Sequence, residues 1–258
     1  MAYQYITSDH SEWLATITIQ RPQQLNALNK LTIEELNDAI IKADQDPSVR
    51  CIIITGSGYK AFVAGADIKE FADFNAQEGQ HLATDGQYML FDLLAYLSTP
   101  SIAAINGFAL GGGLELAMAC HIRVASSKAK MGLPEVSLGV IPGYGGTQRL
   151  SELVGKGKAL EMITTAGMLN AKDALQWGLV NHVCEPEELL SFCQKIASKI
   201  AKNAPFAIAQ AIKCVNAATA DEGYEVEKAA FGACFATDDF KEGTTAFMDK
   251  RKPHFTGN

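Results

Sequence analysis

Residues 49 to 55, VRCIIIT, are an apolar run that reads as a buried strand, and a chain carrying such a strand must cover it. What precedes it supplies the cover. WLATITI, 13 to 19, alternates as a half-buried strand and stops at Arg21-Pro22. LTIEELNDAIIKADQD, 31 to 46, then sets Leu31, Ile33, Leu36, Ile40 and Ile41 on one helical face before Pro47. Strand, helix and strand in close succession mark an α/β layer. The unit recurs at SIAAIN (101 to 106) and HIRVAS (121 to 126), without a repeat strong enough for a solenoid.

Between these units, QYMLFDLLAYLS (87 to 98) reads as a helix, whereas 70 to 85 has mixed polarity and weak periodicity and is expected to be mobile. Residues 158 to 168 read as a helix; Asn170 should cap AKDALQW, and LVNHV should be a last short strand. From Pro186 onward only helical patterns remain. The expected division is residues 1–199 as the core and 200–258 as a helical C-terminal region.

The 258 residues are 48% hydrophobic, enough for one large core. With 29 acidic against 22 basic residues the net charge is -7, the wrong sign for a nucleic-acid partner. The start, MAYQYITSDHSEW, lacks the basic and apolar regions of a secretion signal, and no run matches a membrane span. A soluble, cytoplasmic protein is expected. Six scattered cysteines, without CxxC or zinc spacing, fit small core residues of a reducing compartment, and no metal site is expected. GSGYKA, 56 to 61, formally matches a dinucleotide fingerprint, but AFVAGAD continues it as loop instead of a helix, so a plain turn is the better reading. Phosphate-loop and GxSxG motifs are absent from the sequence, and its five histidines stand apart.

The chemistry concentrates in residues 103 to 146. Gly111 to Gly113 open an apolar helix, so their backbone can approach a ligand and present N–H groups to an anion. They also suit tight packing of helix on strand, and on the triplet alone the two readings stand level. Glu115 shifts the balance: a carboxylate within LELAMAC needs a partner or a purpose, and at helical spacing it should project near the Gly112 N–H. Glu135, after Pro134, is a second acid in apolar, glycine-rich surroundings. Two such acids can have separated pKa values, one serving as proton donor and one as base. Glycoside cleavage also uses two acids, but the chain is only 8% aromatic and that chemistry has no need of a backbone anion site. Proton transfer beside a carbonyl that becomes an enolate needs both features.

KAFVAGADIKEF, NGFALGGGLELAMAC, LPEVSLGVIPGYGGTQRL and AFMDKRK, in this order, resemble the signatures of the enoyl-CoA hydratase/isomerase (crotonase) family across essentially the whole chain. The resemblance implies a spiral of ββα repeats with a helical trimerisation region, and a homo-oligomer built as a dimer of trimers. It implies an acyl-CoA thioester substrate with no further cofactor, coenzyme A being part of the substrate. It assigns the N–H groups of Ala66 and Gly112 to an oxyanion hole, Glu115 and Glu135 to acid–base catalysis and Gly143 to the catalytic water. Ala64, Asp67, Ile68 and Lys69 would line the coenzyme A arm, with Phe247 and Lys250 reaching a neighbouring subunit's coenzyme. Many members carry a basic residue after Arg-Pro where this chain has Gln23. Isomerases of the family usually lack the acid matching Glu115, so two acids favour a hydratase over a Δ3,Δ2-enoyl-CoA isomerase, with a non-catalytic acyl-CoA or RNA-binding member ranking lower. Phe71, Phe74 and Met89 are candidate acyl-pocket residues.

Overall fold

A computed structural model describes residues 3–258. The elements run β1 (Ile6–Ser11), β2 (Leu14–Ile19), α1 (Lys30–Gln45), β3 (Cys51–Gly56), β4 (Ala61–Ala64), α2 (Ala76–Gly86), α3 (Asp92–Ala95), β5 (Ser101–Ile105), β6 (Phe108–Leu110), α4 (Gly112–Ala119), β7 (Ile122–Ser126) and β8 (Lys130–Gly132). They continue with α5 (Gly146–Thr164), β9 (Met168–Asn170), α6 (Ala171–Gln176), β10 (His182–Cys184), α7 (Leu189–Ile200), α8 (Pro205–Asn216), α9 (Gly223–Cys234) and α10 (Asp238–Met248). The fold is α/β with a helical C-terminal region, as the sequence leads one to expect.

One sheet has the order β1-β2-β3-β5-β7-β10, parallel apart from the β1/β2 pair. A second has the order β4-β6-β8-β9, with only β8/β9 antiparallel. The pairs β3/β4, β5/β6 and β7/β8 therefore each place one strand in each sheet before the chain turns into helix. Residues 51 to 54 of that run are apolar without alternation because the two faces of β3 enter different cores. Ile52 and Ile54 face the main core with α1 and α4, while Cys51 and Ile53 pack under α7 against Leu189 and Cys193. A strand buried on both faces loses alternation.

Several expectations need correction. The segment 70 to 85, whose weak periodicity shows no helix, contains most of α2, and Asn75 closes a capping box with Glu78 at its start. Its pattern is weak because only Gly86 is fully buried. The helix expected over 87–98 follows α2 directly, through a wide π-type turn at Gln87–Phe91, and ends with α3 at Ala95. Wide turns of this kind concentrate near functional sites. The helix read at 158 to 168 begins at Gly146, breaks at Gly155 (φ 77°) and ends at Thr164. Asn170 caps α6 through Asp173 N–H. The strands of the second sheet, only three or four residues long, carry no periodic signal in the sequence. Among the described residues no helix is long and apolar enough to cross a membrane.

What positions the site is the crossing of α4 over β4. A Cβ added to Gly113 would lie 1.9 Å from the Val63 carbonyl oxygen, so the helix sits where only glycine allows it. Gly113→Ala is expected to destabilise the fold by roughly 1–3 kcal/mol or more, as other overpacked cores do, read as a lower urea midpoint; an unchanged midpoint would contradict this account of the crossing.

Candidate active site

The glycine triplet divides its labour. Gly111, at φ 51° and ψ -126°, makes the turn out of β6, and its N–H donates to the Gly132 carbonyl at 2.9 Å. Gly113 provides the close packing. Gly112 is the first helical residue, so its N–H has no intrahelical acceptor. A Cβ built on Gly112 would stand 3.6 Å from the backbone nitrogen of Ala66, which brings these two stretches of main chain together.

Ala66 is set by a parallel bridge to Leu28, in which Leu28 N–H donates to Gly65 O (2.9 Å) and Asp67 N–H to Leu28 O (2.7 Å). The Ala66 N–H takes no part in that exchange. Arg21, read in the sequence only as a strand stop, fastens this edge: its guanidinium pairs with Asp67 at 3.0 Å, donates to Ala27 O and lies over the Tyr5 ring at 4.8 Å. Only 8% of Arg21 is exposed, so the pair is sheltered from solvent.

Glu115 is 1% exposed. Its Oε1 accepts two backbone hydrogen bonds, from Tyr144 N–H and Gly146 N–H, both 2.8 Å. The sequence places this carboxylate near the Gly112 N–H; both line the same cavity, but the hydrogen bonds of Oε1 are to the start of α5. Gly146 must lack a side chain, since its Cβ would lie 2.7 Å from that same oxygen. The segment is held from outside as well: Gln87 Nε2 donates to Gly143 O at 2.6 Å, and Arg149 Nη1 to Tyr144 O at 2.9 Å, with Arg149 Nη2 on Asp92 at 2.7 Å. Gly143 O and Tyr144 N–H belong to one peptide group, so Gln87 orients the donor that Glu115 receives. Sequence reasoning missed Arg21, Gln87 and Arg149; nothing in their local patterns marks them.

Glu135 opens a single 3-10 turn after Pro134. Its Oε1 lies 2.8 Å from where a Cβ on Gly111 would be, and its Oε2 is buried without a hydrogen-bond partner among the described residues. Burial raises the pKa of both acids. For Glu115 the rise is to about 7, driven first by burial and then by the charge of Glu135, against the opposing pull of the Gly146 and Tyr144 N–H groups. For Glu135 burial dominates. The cost of burying a carboxylate, several kcal/mol, exceeds what two charge-assisted bonds of roughly 1.5–3 kcal/mol return, hence the upward shift.

Glu115, Glu135, Ala64, Ala66, Gly112, Gly143 and Ile68 all line one cavity of about 330 Å³, together with Phe71. Apart from the two acids, its lining side chains are apolar or the Tyr144 ring. Asp67 is not among them; it is bound to Arg21 and faces a neighbouring cavity that Phe74 and Met89 also line. Lys69 is exposed on the turn Ile68–Glu70, and Phe247 and Lys250 are exposed at the end of α10, so within one chain these three do not meet the cavity. Among the described residues no group of three or more His, Cys, Asp or Glu is placed to hold a metal ion.

Residues 9–258 match the enoyl-CoA hydratase/isomerase family model. The chain is 48% identical to a crotonyl-CoA hydratase of Syntrophomonas wolfei, over 99% of both sequences. It is also 48% identical to a short-chain-enoyl-CoA hydratase of Clostridium acetobutylicum, over 93% of this chain and 92% of that one. A solved enoyl-CoA hydratase from Bacillus anthracis superposes with a TM-score of 0.93 at 38% identity, covering 99% of this chain and 100% of the other. The chain belongs to the enoyl-CoA hydratase/isomerase family.

Proposed function

We propose that this protein catalyses the reversible syn addition of water to a trans-2-enoyl-CoA, giving the 3-hydroxyacyl-CoA. The observation that carries the reading is the meeting of Glu115 and Glu135 in one apolar cavity with the main chain of Ala66 and Gly112. The thioester carbonyl accepts from the Ala66 and Gly112 N–H groups, which hold the charge that gathers on its oxygen as the enolate develops. Water lies between the acids near Gly143. Its oxygen bonds to C3 while Glu115, its Oε1 fixed by two N–H donors, takes the proton; Glu135 delivers its own proton to C2 on the same face. Reversal of these transfers dehydrates the product. Burial raises both pKa values, that of Glu115 to about 7, which suits the pair to hold and pass on a proton, and such a coupled pair titrates as a unit. Ala64 and Ile68 border the pantetheine path, with Asp67 and Lys69 beside it.

The helical region 200–258 is read as the assembly surface of a dimer of trimers that brings Phe247 and Lys250 to a neighbour's coenzyme. Tyr224, Phe231, Phe247 and Met248 are exposed there in a single chain, as unpartnered interface residues would be. Sedimentation reporting a monomer at assay concentration would remove this part.

Purified protein should abolish the ultraviolet absorbance of the conjugated enoyl thioester. Glu115→Gln and Glu135→Gln should each lower kcat by about 10²–10⁴-fold with unchanged circular dichroism. No hydration at any acyl length, or full turnover in either variant, would sink the mechanism; conversion of a 3-enoyl-CoA without water uptake would favour the isomerase.

Glu115 also couples stability to pH. Its folded pKa of about 7 lies above the ordinary 4.5, so between these values the folded state keeps a proton that the unfolded chain has released. Stability from this group is fully present below about pH 4.5 and is lost as pH rises through about 7. Glu115→Gln removes that loss and keeps an acceptor for both N–H groups. Relative to the wild type the variant should gain on the order of 3 kcal/mol across this window and stay level above it, measured by denaturant unfolding at a series of pH values. A pH-independent difference would contradict the burial-driven shift.

A further inference from the structure

We infer that the Tyr144 ring is a fixed wall that ends the acyl cavity and restricts this enzyme to short acyl chains; the inference rests on the hydratase reading above. Beside the cavity that holds Glu115 and Glu135 is a second one of about 550 Å³, lined in part by Leu28, Ile33, Phe74 and Met89. Only Ala66, Phe71, Leu82 and Tyr144 border both. The second cavity mixes these apolar side chains with charged ones, among them Lys30, Glu34, Glu70 and Asp85, and includes neither Glu115, Glu135 nor Gly112, so it offers room beside the site without the groups of the proposed chemistry.

Of the four shared residues, Ala66 brings main chain to the carbonyl site and Tyr144 sets its ring beside it. Its Cδ2 lies 3.6 Å from the Cβ position of Gly112, beside the carbonyl site. It is 7% exposed and stacked on Phe91, with ring centroids 4.6 Å apart and planes 13° from parallel. On another side it fills the place a side chain would take at Gly86, whose Cβ would lie 2.3 Å from Tyr144 Cε1. Its main chain is pinned too: its N–H is bound to Glu115, its carbonyl to Arg149, and the preceding carbonyl to Gln87. Moving this residue aside to admit a long chain would disturb a donor that Glu115 needs. A wall tied into the catalytic backbone discriminates by cost, not by gating, and each methylene that cannot be seated loses transition-state binding. In apolar pockets that loss is about 10–200-fold per methylene.

The test is kcat/KM for crotonyl-, hexenoyl- and decenoyl-CoA in wild type, Tyr144→Phe and Tyr144→Ala. Wild type and Tyr144→Phe, which keeps the ring, should both favour crotonyl-CoA strongly. In Tyr144→Ala the two cavities join, and the decenoyl-to-crotonyl ratio should rise at least about tenfold whatever happens to absolute turnover. Should Tyr144→Ala fail to fold, Tyr144→Leu, which keeps bulk against Phe91, is judged by the same ratio. Wild type that hydrates decenoyl-CoA as well as crotonyl-CoA, or a ratio unmoved by loss of the ring, overturns the inference. If wild type hydrates none of the three, the hydratase reading fails instead; calorimetric binding of butyryl- and decanoyl-CoA then decides the wall, with the same reversal expected in Tyr144→Ala and an unchanged preference overturning it.

Discussion

Two hydrogen bonds, from the N–H groups of Tyr144 and Gly146 to one oxygen of Glu115, are the constraint around which the rest of the molecule is arranged. A carboxylate 1% exposed is tolerable only with donors of this kind, and they come from a segment twenty-nine and thirty-one residues away. That segment must approach closely, so position 146 is glycine, and it must not move, so Gln87 and Arg149 grip its carbonyls. The bonds are not strong enough to make Glu115 an ordinary acid. Burial wins, and the resulting pKa of about 7 is a property of the whole packed cavity.

The opposite side of the cavity follows from a second close approach. Gly113 against the Val63 carbonyl lets α4 lie on β4, and that crossing carries the Gly112 main chain to within reach of Ala66. Arg21 and Asp67 keep the Ala66 strand edge in place from below. The site is therefore built from backbone at its rim and from the two carboxylates Glu115 and Glu135 among otherwise apolar and aromatic lining. Precision comes from main chain that glycine allows to meet, which is why the two sheets, each taking one strand per turn, are required.

How much of this could be read from residues alone varies with how locally each feature is determined. β3 is legible because both its faces are buried, and α1 because its apolar stripe is regular. β4, β6, β8 and β9 are not, because three or four residues cannot show a period. α2 is hidden by its composition: it presents polar residues outward and turns only Gly86 fully inward. Glu115 and Glu135 stand out in the sequence as charges in apolar surroundings, whereas Tyr144, Gln87 and Arg149 look ordinary until the fold sets them around one peptide segment.

The sequence by itself determined that the chain is an α/β protein ending in helices, that Gly111 to Gly113 would bring backbone close either to a ligand or to a packed strand, and that two acids in apolar runs needed a partner or a purpose. These are consequences of pattern and of the cost of burying charge, which act over a few residues. Only the tertiary structure decided which N–H groups satisfy Glu115, that the Gly112 N–H is not one of them, and that the Tyr144 ring stands between two cavities. Those outcomes depend on which distant segments pack together, and packing is settled by contacts between residues that the linear order leaves far apart.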